Sequence, residues 1–249
     1  PMPTPPPPVS GGDIPEAKKT HVVAFDFTGQ NCGYCYAALD NMNHAKATLG
    51  EYFHPVAIQS RSYRQGLDLL CEDYWMYDRF YHPSGFPNVF VANDKQKVYH
   101  SLVQGHAKQL IEQKPQVKMR FSASNTPTHV TVSFKALPNN GKTPPKEVEV
   151  LFLLVQNNMV AFQINKSATY SHQHVLRRGL NNKPDPTNWE KWTWGNAYTY
   201  GSDFTATYRL EDAHYPGSLP IVPKDCEVIA LLLDKETKQV LNAAVVQLK

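Results

Sequence analysis

A pair of cysteines separated by two residues, Cys32 and Cys35, is the part of the sequence best suited to chemistry. The residues that follow, up to Gly50, contain no proline and carry apolar side chains at helical spacing, so the pair is predicted to open a helix. A helix N-terminus presents unpaired N–H groups and a partial positive charge, which stabilise a thiolate. The pattern is typical of thiol–disulfide exchange, in which Cys32 attacks and Cys35 resolves the mixed disulfide.

Two other interpretations of the pair stay open at this point. It could supply half of a zinc site, but no second Cys-x-x-Cys and no His-x-x-x-His completes a set of four ligands, so we expect no metal. It could also form a purely structural disulfide. The remaining cysteines, Cys71 and Cys226, either bridge two parts of the chain or stay free.

Two more residues fit an exchange site. Asp26 ends a predicted strand six residues before Cys32, where a carboxylate could take the proton of Cys35; the alternative is an ordinary strand-end acid. Pro87 stands between a predicted helix and a predicted strand, where a cis Phe86–Pro87 bond would lay backbone beside the cysteines; the alternative is a trans turn proline. We predict that Asp26 and Pro87 are catalytic residues together with the two cysteines.

The elements that must position these residues read as an α/β unit. Hydrophobic periodicity predicts strand, helix and strand at residues 20–28, 32–50 and 54–59, then a helix at 67–80, a hairpin at 88–92 and 97–100, and a closing helix at 102–114. The first two strands are expected to be parallel because a helix connects them.

From residue 117 onward the apolar period changes to two, as expected of strands with one buried face. Strands are predicted at 117–121, 130–134, 147–155, 160–164, 204–210, 227–233 and 240–248. We therefore predict three parts: a proline-rich tether over 1–19, an α/β domain over 20–115 and an antiparallel β-sandwich domain over 116–249.

The first of these domains is identified by resemblance to the thioredoxin superfamily over residues 20–114. Strand, Cys-Gly-Tyr-Cys at a helix start, strand, Gly-Phe-Pro, hairpin and closing helix follow one another in that superfamily's order. The resemblance implies a substrate groove at Gly33, Tyr34 and Phe86. The dipeptide Gly33-Tyr34 is the same as in bacterial periplasmic disulfide isomerases, which implies exchange or isomerisation rather than strong reduction.

A second resemblance covers nearly the whole chain. Residues 25–35, 172–178, 225–230 and 240–244 resemble the outer-membrane lipoprotein family of the 28-kilodalton type from anaerobic Gram-negative bacteria. This resemblance implies export, an N-terminal lipid anchor as the means of membrane association, and a place in the outer membrane of the cell envelope. It implies little about chemistry.

The amino-acid composition excludes several classes of binding partner and site. Lys and Arg number 25 against 22 Asp and Glu, and the excess is spread along the chain, so nucleic acid is not an expected partner. No run approaches 18 apolar residues, so no transmembrane helix is expected, and no phosphate-binding glycine loop is present. We expect no cofactor.

Two other groups of residues could form binding sites. His172 and His174 alternate on a predicted strand and could hold a metal together, although no carboxylate or thiolate is nearby in sequence. The second group is aromatic, and it either forms an exposed platform for a ligand or covers one open end of the sandwich. Its members are Trp189, Trp192, Trp194, Tyr198 and Tyr200.

The leading hypothesis is a cell-envelope protein that exchanges thiols and disulfides, acting as an oxidoreductase or disulfide isomerase on protein thiols or disulfides. The alternative is a non-enzymatic surface binding protein or adhesin, with an unknown ligand, that uses the thioredoxin-like domain as a scaffold. Tyr36 and Phe86 favour the alternative slightly, because many members of the superfamily have proline after the second cysteine and Thr, Val or Ile before the cis-proline.

Overall fold

The computed structural model describes residues 14–185, 187, 188 and 191–249. Most of the predicted tether therefore lies outside the described residues. The strands are β1 (Val22–Thr28), β2 (Phe53–Gln59), β3 (Asn88–Val91), β4 (Gln96–Val98), β5 (Val117–Asn125), β6 (His129–Pro138), β7 (Val148–Gln156), β8 (Met159–Gln163), β9 (Ser167–His172), β10 (Val175–Gly179), β11 (Lys183–Pro184), β12 (Trp192–Thr193), β13 (Asn196–Tyr198), β14 (Phe204–Arg209), β15 (Cys226–Asp234) and β16 (Val240–Gln247). The helices are α1 (Cys35–Leu49), α2 (Tyr74–Tyr81) and α3 (Val103–Ile111).

One mixed sheet of nine strands runs through both halves of the chain, in the order β16-β15-β7-β10-β2-β1-β3-β4, with β13 also paired to β7. Strands β1 and β2 are parallel, and β3 and β4 continue the sheet as antiparallel strands. On the other side of β2, strand β10 adds a parallel pair between Val175 and Ala57. Strands β1, β2 and β7 are buried along their whole length, which explains their nearly continuous apolar sequences.

Each face of this sheet is covered. On one face, aromatic side chains of α2 such as Tyr77 and Tyr81 pack against Phe25 of β1 and Leu153 of β7 in one apolar cluster. On the opposite face, α1 and α3 cover β1, β2 and β3. A separate three-stranded sheet, β14-β6-β5, packs against β7 and β15 through residues such as Phe134 and Phe152.

The prediction of an α/β part joined to a β-rich part is confirmed. The sheet and the cluster around α2 nevertheless continue across residues 115 and 116, where the domain boundary was predicted. A separate thioredoxin-like domain and a separate sandwich, with that boundary, stay predictions. Residues 14–19 lie against this body, since Ile14 is buried and Ala17 N–H donates to Asn139 Oδ1 at 3.1 Å.

Two predicted helices begin later than expected. The first starts at Cys35 rather than Cys32, because residues 29–34 form turns in which Asn31 N–H donates to the Tyr63 carbonyl at 2.8 Å. The second starts at Tyr74 rather than at residue 67. There Leu69, Leu70 and Cys71 bury their side chains from turns, so an apolar run was mistaken for a helix.

The sequence pattern predicts no bounds for strands β9 to β13, apart from one strand expected to contain His172 and His174. Strand β9 pairs only with β8 in a small hairpin, and β11 and β12 form a second two-stranded pair. None of the helices in the described part of the chain is long and apolar enough to span a membrane.

Candidate functional site

Cys32 and Cys35 are joined by a disulfide where β1 gives way to α1. Cys35 is the first residue of the helix and Cys32 lies in the turn before it, with its N–H donating to the Gly29 carbonyl at 3.2 Å. Cys35 is fully buried and only 4% of Cys32 is exposed. The helix end therefore carries both sulfur atoms, with access limited to the edge of Cys32.

Asp26 lies under helix α1, and neither of its carboxyl oxygens has a hydrogen-bond partner among the described residues. It lines a cavity of about 10 Å³ together with Leu39 and Met42 of the helix and Ala57 of β2. Leu39 stands one turn after Cys35 on the same buried face of α1. Burial raises the pKa of Asp26 from 3.8 to about 7, because a charged carboxylate there would lose its hydration without compensation.

The Phe86–Pro87 peptide bond is cis. The next residue, Asn88, pairs with Phe27 near the end of β1, so the segment lies at the same end of the sheet as the cysteine turn. Phe86 also packs against Tyr63, with ring centroids 5.3 Å apart, and Tyr63 accepts the hydrogen bond from the turn before Cys32.

Of the three groove residues, Tyr34 is 81% exposed and Phe86 is partly buried. Gly33 is partly buried as well and accepts a hydrogen bond from the hairpin described next. The structure therefore presents one free aromatic ring at the helix start and a second ring beside the cis-proline.

The hairpin β8–β9 makes hydrogen bonds to the cysteine turn, residues 29–34, and these bonds together form a clasp around it. The sequence pattern does not indicate this contact. Asn165 at its tip donates from Nδ2 to the Gly33 carbonyl at 2.8 Å. Ile164 N–H donates to the carbonyl of Gln30 at 2.9 Å, and Lys166 Nζ lies 2.7 Å from Asp40 Oδ2 on α1. The hairpin could be read from the turn residues at its tip, but its partner lies about 130 residues earlier in the chain.

His172 and His174 do not share a strand as predicted. His172 ends β9 with its side chain buried and Nε2 3.3 Å from the Phe162 carbonyl, whereas His174 has a left-handed backbone with φ of 56°. Burial lowers the pKa of each imidazole to about 4. In the described part of the chain, no group of three or more His, Cys, Asp or Glu side chains is arranged to hold a metal ion.

Of the two alternatives for the aromatic group, Trp194 and Tyr198 do not form an exposed platform, because both are buried. Trp194 packs against Tyr77 and Phe80 of α2, so it belongs to the main core. Trp192 and Tyr200 are partly buried, and Trp189 lies outside the described residues.

Cys71 and Cys226 are buried free thiols, so they do not bridge the two halves. Burial raises the pKa of both thiols, that of Cys226 to about 12, which keeps them protonated and unreactive.

Comparison with solved structures gives a relative for this architecture. HBP35 of Porphyromonas gingivalis superimposes over 94% of this chain and 77% of its own, with a TM-score of 0.66 and 16% sequence identity. The fold of this chain is similar to that of HBP35. An Agrobacterium tumefaciens protein also matches, over 92% of this chain and 94% of its own, with a TM-score of 0.56 and 12% identity.

A domain of the outer membrane lipoprotein Omp28 from Porphyromonas gingivalis matches 55% of this chain and 91% of its own, with a TM-score of 0.38 and 19% identity. At these identities the solved neighbours show the fold alone. No protein-family model matches the sequence, and comparison with curated proteins finds no match.

Replacing Asp26 by asparagine should make stability less dependent on pH. Between pH 4 and pH 7 the folded wild type keeps its Asp26 proton while the unfolded chain loses it, so wild-type stability falls as the pH rises through this window. A pKa change from 3.8 to about 7 corresponds to about 4 kcal/mol. We expect Asp26→Asn to exceed the wild type by about that much at pH 8 and to equal it at pH 4.

Urea unfolding of the oxidised proteins at several pH values measures this difference. Asp203→Asn, which changes a carboxylate with 80% of its side chain exposed, is the control for the substitution itself. A gap between Asp26→Asn and the wild type that stays constant from pH 4 to pH 8 would contradict the assignment of a buried, protonated Asp26.

Replacing Asn165 by glycine should loosen the clasp on the cysteine turn. Glycine keeps the left-handed backbone at this position, where φ is 64°, and removes only the side chain that bonds to Gly33. We expect phosphine reduction of the Cys32–Cys35 disulfide to become about fivefold faster, as for the loss of a hydrogen bond worth about 1 kcal/mol.

Asn158→Gly is the matched control for this variant. Asn158 is also left-handed, with φ of 58°, but its side chain bonds to Asp225 rather than to the cysteine turn. Equal reduction rates in both glycine variants would mean that the hairpin does not restrict access to the disulfide.

Proposed function

We propose that this protein is a thiol–disulfide exchange protein of the bacterial cell envelope, acting as an oxidoreductase or disulfide isomerase. The observation that carries the proposal is the unpaired, fully buried Asp26 carboxyl beneath the helix that begins with the disulfide. Leaving a buried carboxyl without partners reduces stability, and a purely structural disulfide has no use for it. A protonatable group with a pKa near neutral is what a resolving thiol needs.

We infer that residues 20–115 form a thioredoxin-like unit. Support comes from the strand order β2-β1-β3-β4, with β1 and β2 parallel and β3 antiparallel, and from the cysteine pair at the start of α1. The cis Phe86–Pro87 bond just before β3 agrees with this inference.

The roles follow from the chemistry of exchange. The Cys32 thiolate attacks one sulfur of a substrate disulfide, a mixed disulfide forms, and the other substrate sulfur leaves as a thiolate. Asp26 then takes the proton of Cys35, whose thiolate attacks the sulfur of Cys32. The second substrate thiolate is released, so the substrate disulfide is reduced while the Cys32–Cys35 pair is oxidised. The reverse sequence oxidises a substrate dithiol.

The substrate class is a protein thiol or disulfide in an extended segment. The partly exposed backbone next to Pro87 can pair with such a segment, while the rings of Tyr34 and Phe86 supply apolar contact. The clasp by hairpin β8–β9 limits approach to Cys32, which favours flexible segments over folded surfaces.

The envelope location rests on the sequence resemblance to outer-membrane lipoproteins. An N-terminal lipid anchor ahead of the proline-rich residues 1–13 would attach the folded body to the membrane, whereas residues 14–19 pack against that body. The β-rich half would recruit substrate or dock on a partner protein. No nucleic acid and no cofactor enter this proposal.

One observation favours a second function, that of a surface binding protein or adhesin with a structural disulfide. Only 4% of Cys32 is exposed, and three hydrogen bonds from the hairpin hold the turn around it. A disulfide sealed in this way would resist exchange.

Removal of the resolving thiol separates the two functions. The probe is an unstructured peptide whose one cysteine is activated as a thionitrobenzoate disulfide, and the release of thionitrobenzoate is followed by absorbance. Reduced Cys35→Ser should attack the peptide through Cys32 and keep it as a stable mixed disulfide, detected by mass spectrometry, because Cys35 is no longer present to release it.

Cys32→Ser is the matched control, since it leaves only the fully buried Cys35 of the pair and should not react at a comparable rate. Reaction of Cys35→Ser no faster than Cys32→Ser would rule out exchange through Cys32 and support the binding protein.

A further inference from the structure

Asp26 is buried, so a proton that it accepts can reach solvent only through neighbouring groups. Only 1% of the residue is exposed, and its carboxyl borders the cavity of about 10 Å³ under α1. A cavity of this size holds about one water molecule. The polar residues that line it with Asp26 are Asn43, Gln173 and His174, and of these only His174 has one ring nitrogen that can accept a proton while the other releases one.

The fold fixes His174 at this cavity through its backbone. Asp26 pairs with Ala57, and Ala57 pairs with Val175, so one row crosses β1, β2 and β10. At the end of this row, Ala57 N–H donates to the His174 carbonyl at 2.8 Å, and His174 N–H donates to Asn157 Oδ1 at 2.8 Å. The second half of the chain therefore places His174 beside the cavity that Asp26 borders in the first half.

His174 borders the cavity and is also partly exposed at the surface, whereas Asp26 is buried. Burial lowers the pKa of His174 to about 4, and Lys46 on α1 acts in the same direction. His54 on β2 also interacts with His174, and Glu227 and Glu51 interact with Lys46. His174 is therefore neutral at pH 7, with one N–H and one free lone pair.

We propose that His174 is a relay residue that carries the proton of Asp26 between the one-water cavity and solvent during thiol–disulfide exchange. This inference rests on the proposed function. When Cys35 has given its proton to Asp26 and its thiolate has displaced the substrate thiolate from Cys32, Asp26 passes the proton through the cavity water to one ring nitrogen. The other ring nitrogen releases its proton to solvent, so the imidazole ends neutral and no electrons move in this step.

The test is a double-mutant cycle on the rate at which dithiothreitol reduces the Cys32–Cys35 disulfide, measured from pH 5 to pH 9. The four proteins are the wild type, His174→Asn, Asp26→Asn and the double variant. Asparagine is chosen because it tolerates the left-handed backbone of His174. We expect His174→Asn to slow reduction at pH 7 by about tenfold, less than the roughly 100-fold of a direct acid–base group, because water can partly replace it.

The coupling between the His174 and Asp26 substitutions decides whether the relay is supported. The relay requires that His174→Asn has no further effect once Asp26 is asparagine, that added imidazole restores the rate of the single variant, and that the reduction potential of the pair is unchanged. Equal slowing in both backgrounds, no slowing, or no rescue by imidazole would overturn it. His174→Gln repeats the test with a longer side chain in case the asparagine variant folds poorly.

His106→Asn is the matched control, since His106 is partly exposed, pairs with Asp94 at 2.7 Å and does not border the cavity. Dithiothreitol reduces structural and catalytic disulfides alike, so the cycle reports on the relay even if the peptide fails to react with Cys35→Ser. Failure of the relay and failure of the proposed function are thus distinguished by separate measurements.

Discussion

The hydrogen bond from Ala57 N–H to the His174 carbonyl, 2.8 Å long, joins the two halves of the chain at the edge of β2. Through it β10 extends the sheet, and β7, β15 and β16 follow in order. A β2 edge left open would expose unpaired backbone groups beside the most buried strands of the molecule. The same junction sets the position of hairpin β8–β9, which precedes β10 directly, and so determines how much of Cys32 solvent can reach.

Burial has opposite consequences for the two kinds of titratable group around this junction. It keeps Asp26 protonated up to about pH 7, and it keeps His174 unprotonated down to about pH 4. Between these values both groups are neutral, so the interior under α1 carries no net charge from either of them. Transfer of the Asp26 proton to His174 alone would leave a buried carboxylate and a buried imidazolium, whose desolvation is costly, so the relay requires the second ring nitrogen to release its proton in the same step.

The structural features that could be predicted are those set by residues close together in the sequence. The Cys32–Cys35 spacing, the strand that ends near Asp26 and the Phe86-Pro87 dipeptide each depend on a few neighbouring residues, and the structure has a disulfide, a buried acid and a cis bond at these positions. The continuous sheet and the clasp by Asn165 depend on residues more than 100 positions apart, which periodicity cannot pair. The alternating pattern predicts one strand through His172 and His174, but the left-handed backbone at His174 interrupts that strand.

The central claim is that the Cys32–Cys35 pair exchanges with substrates rather than only holding the fold together. The equilibrium reduction potential of the pair tests this most directly. It is measured by trapping the thiols and identifying the trapped species by mass spectrometry across a series of glutathione or dithiothreitol buffers. We predict a potential between roughly −120 and −270 mV, the range of exchange proteins. A potential below about −300 mV, typical of structural disulfides, would contradict the account.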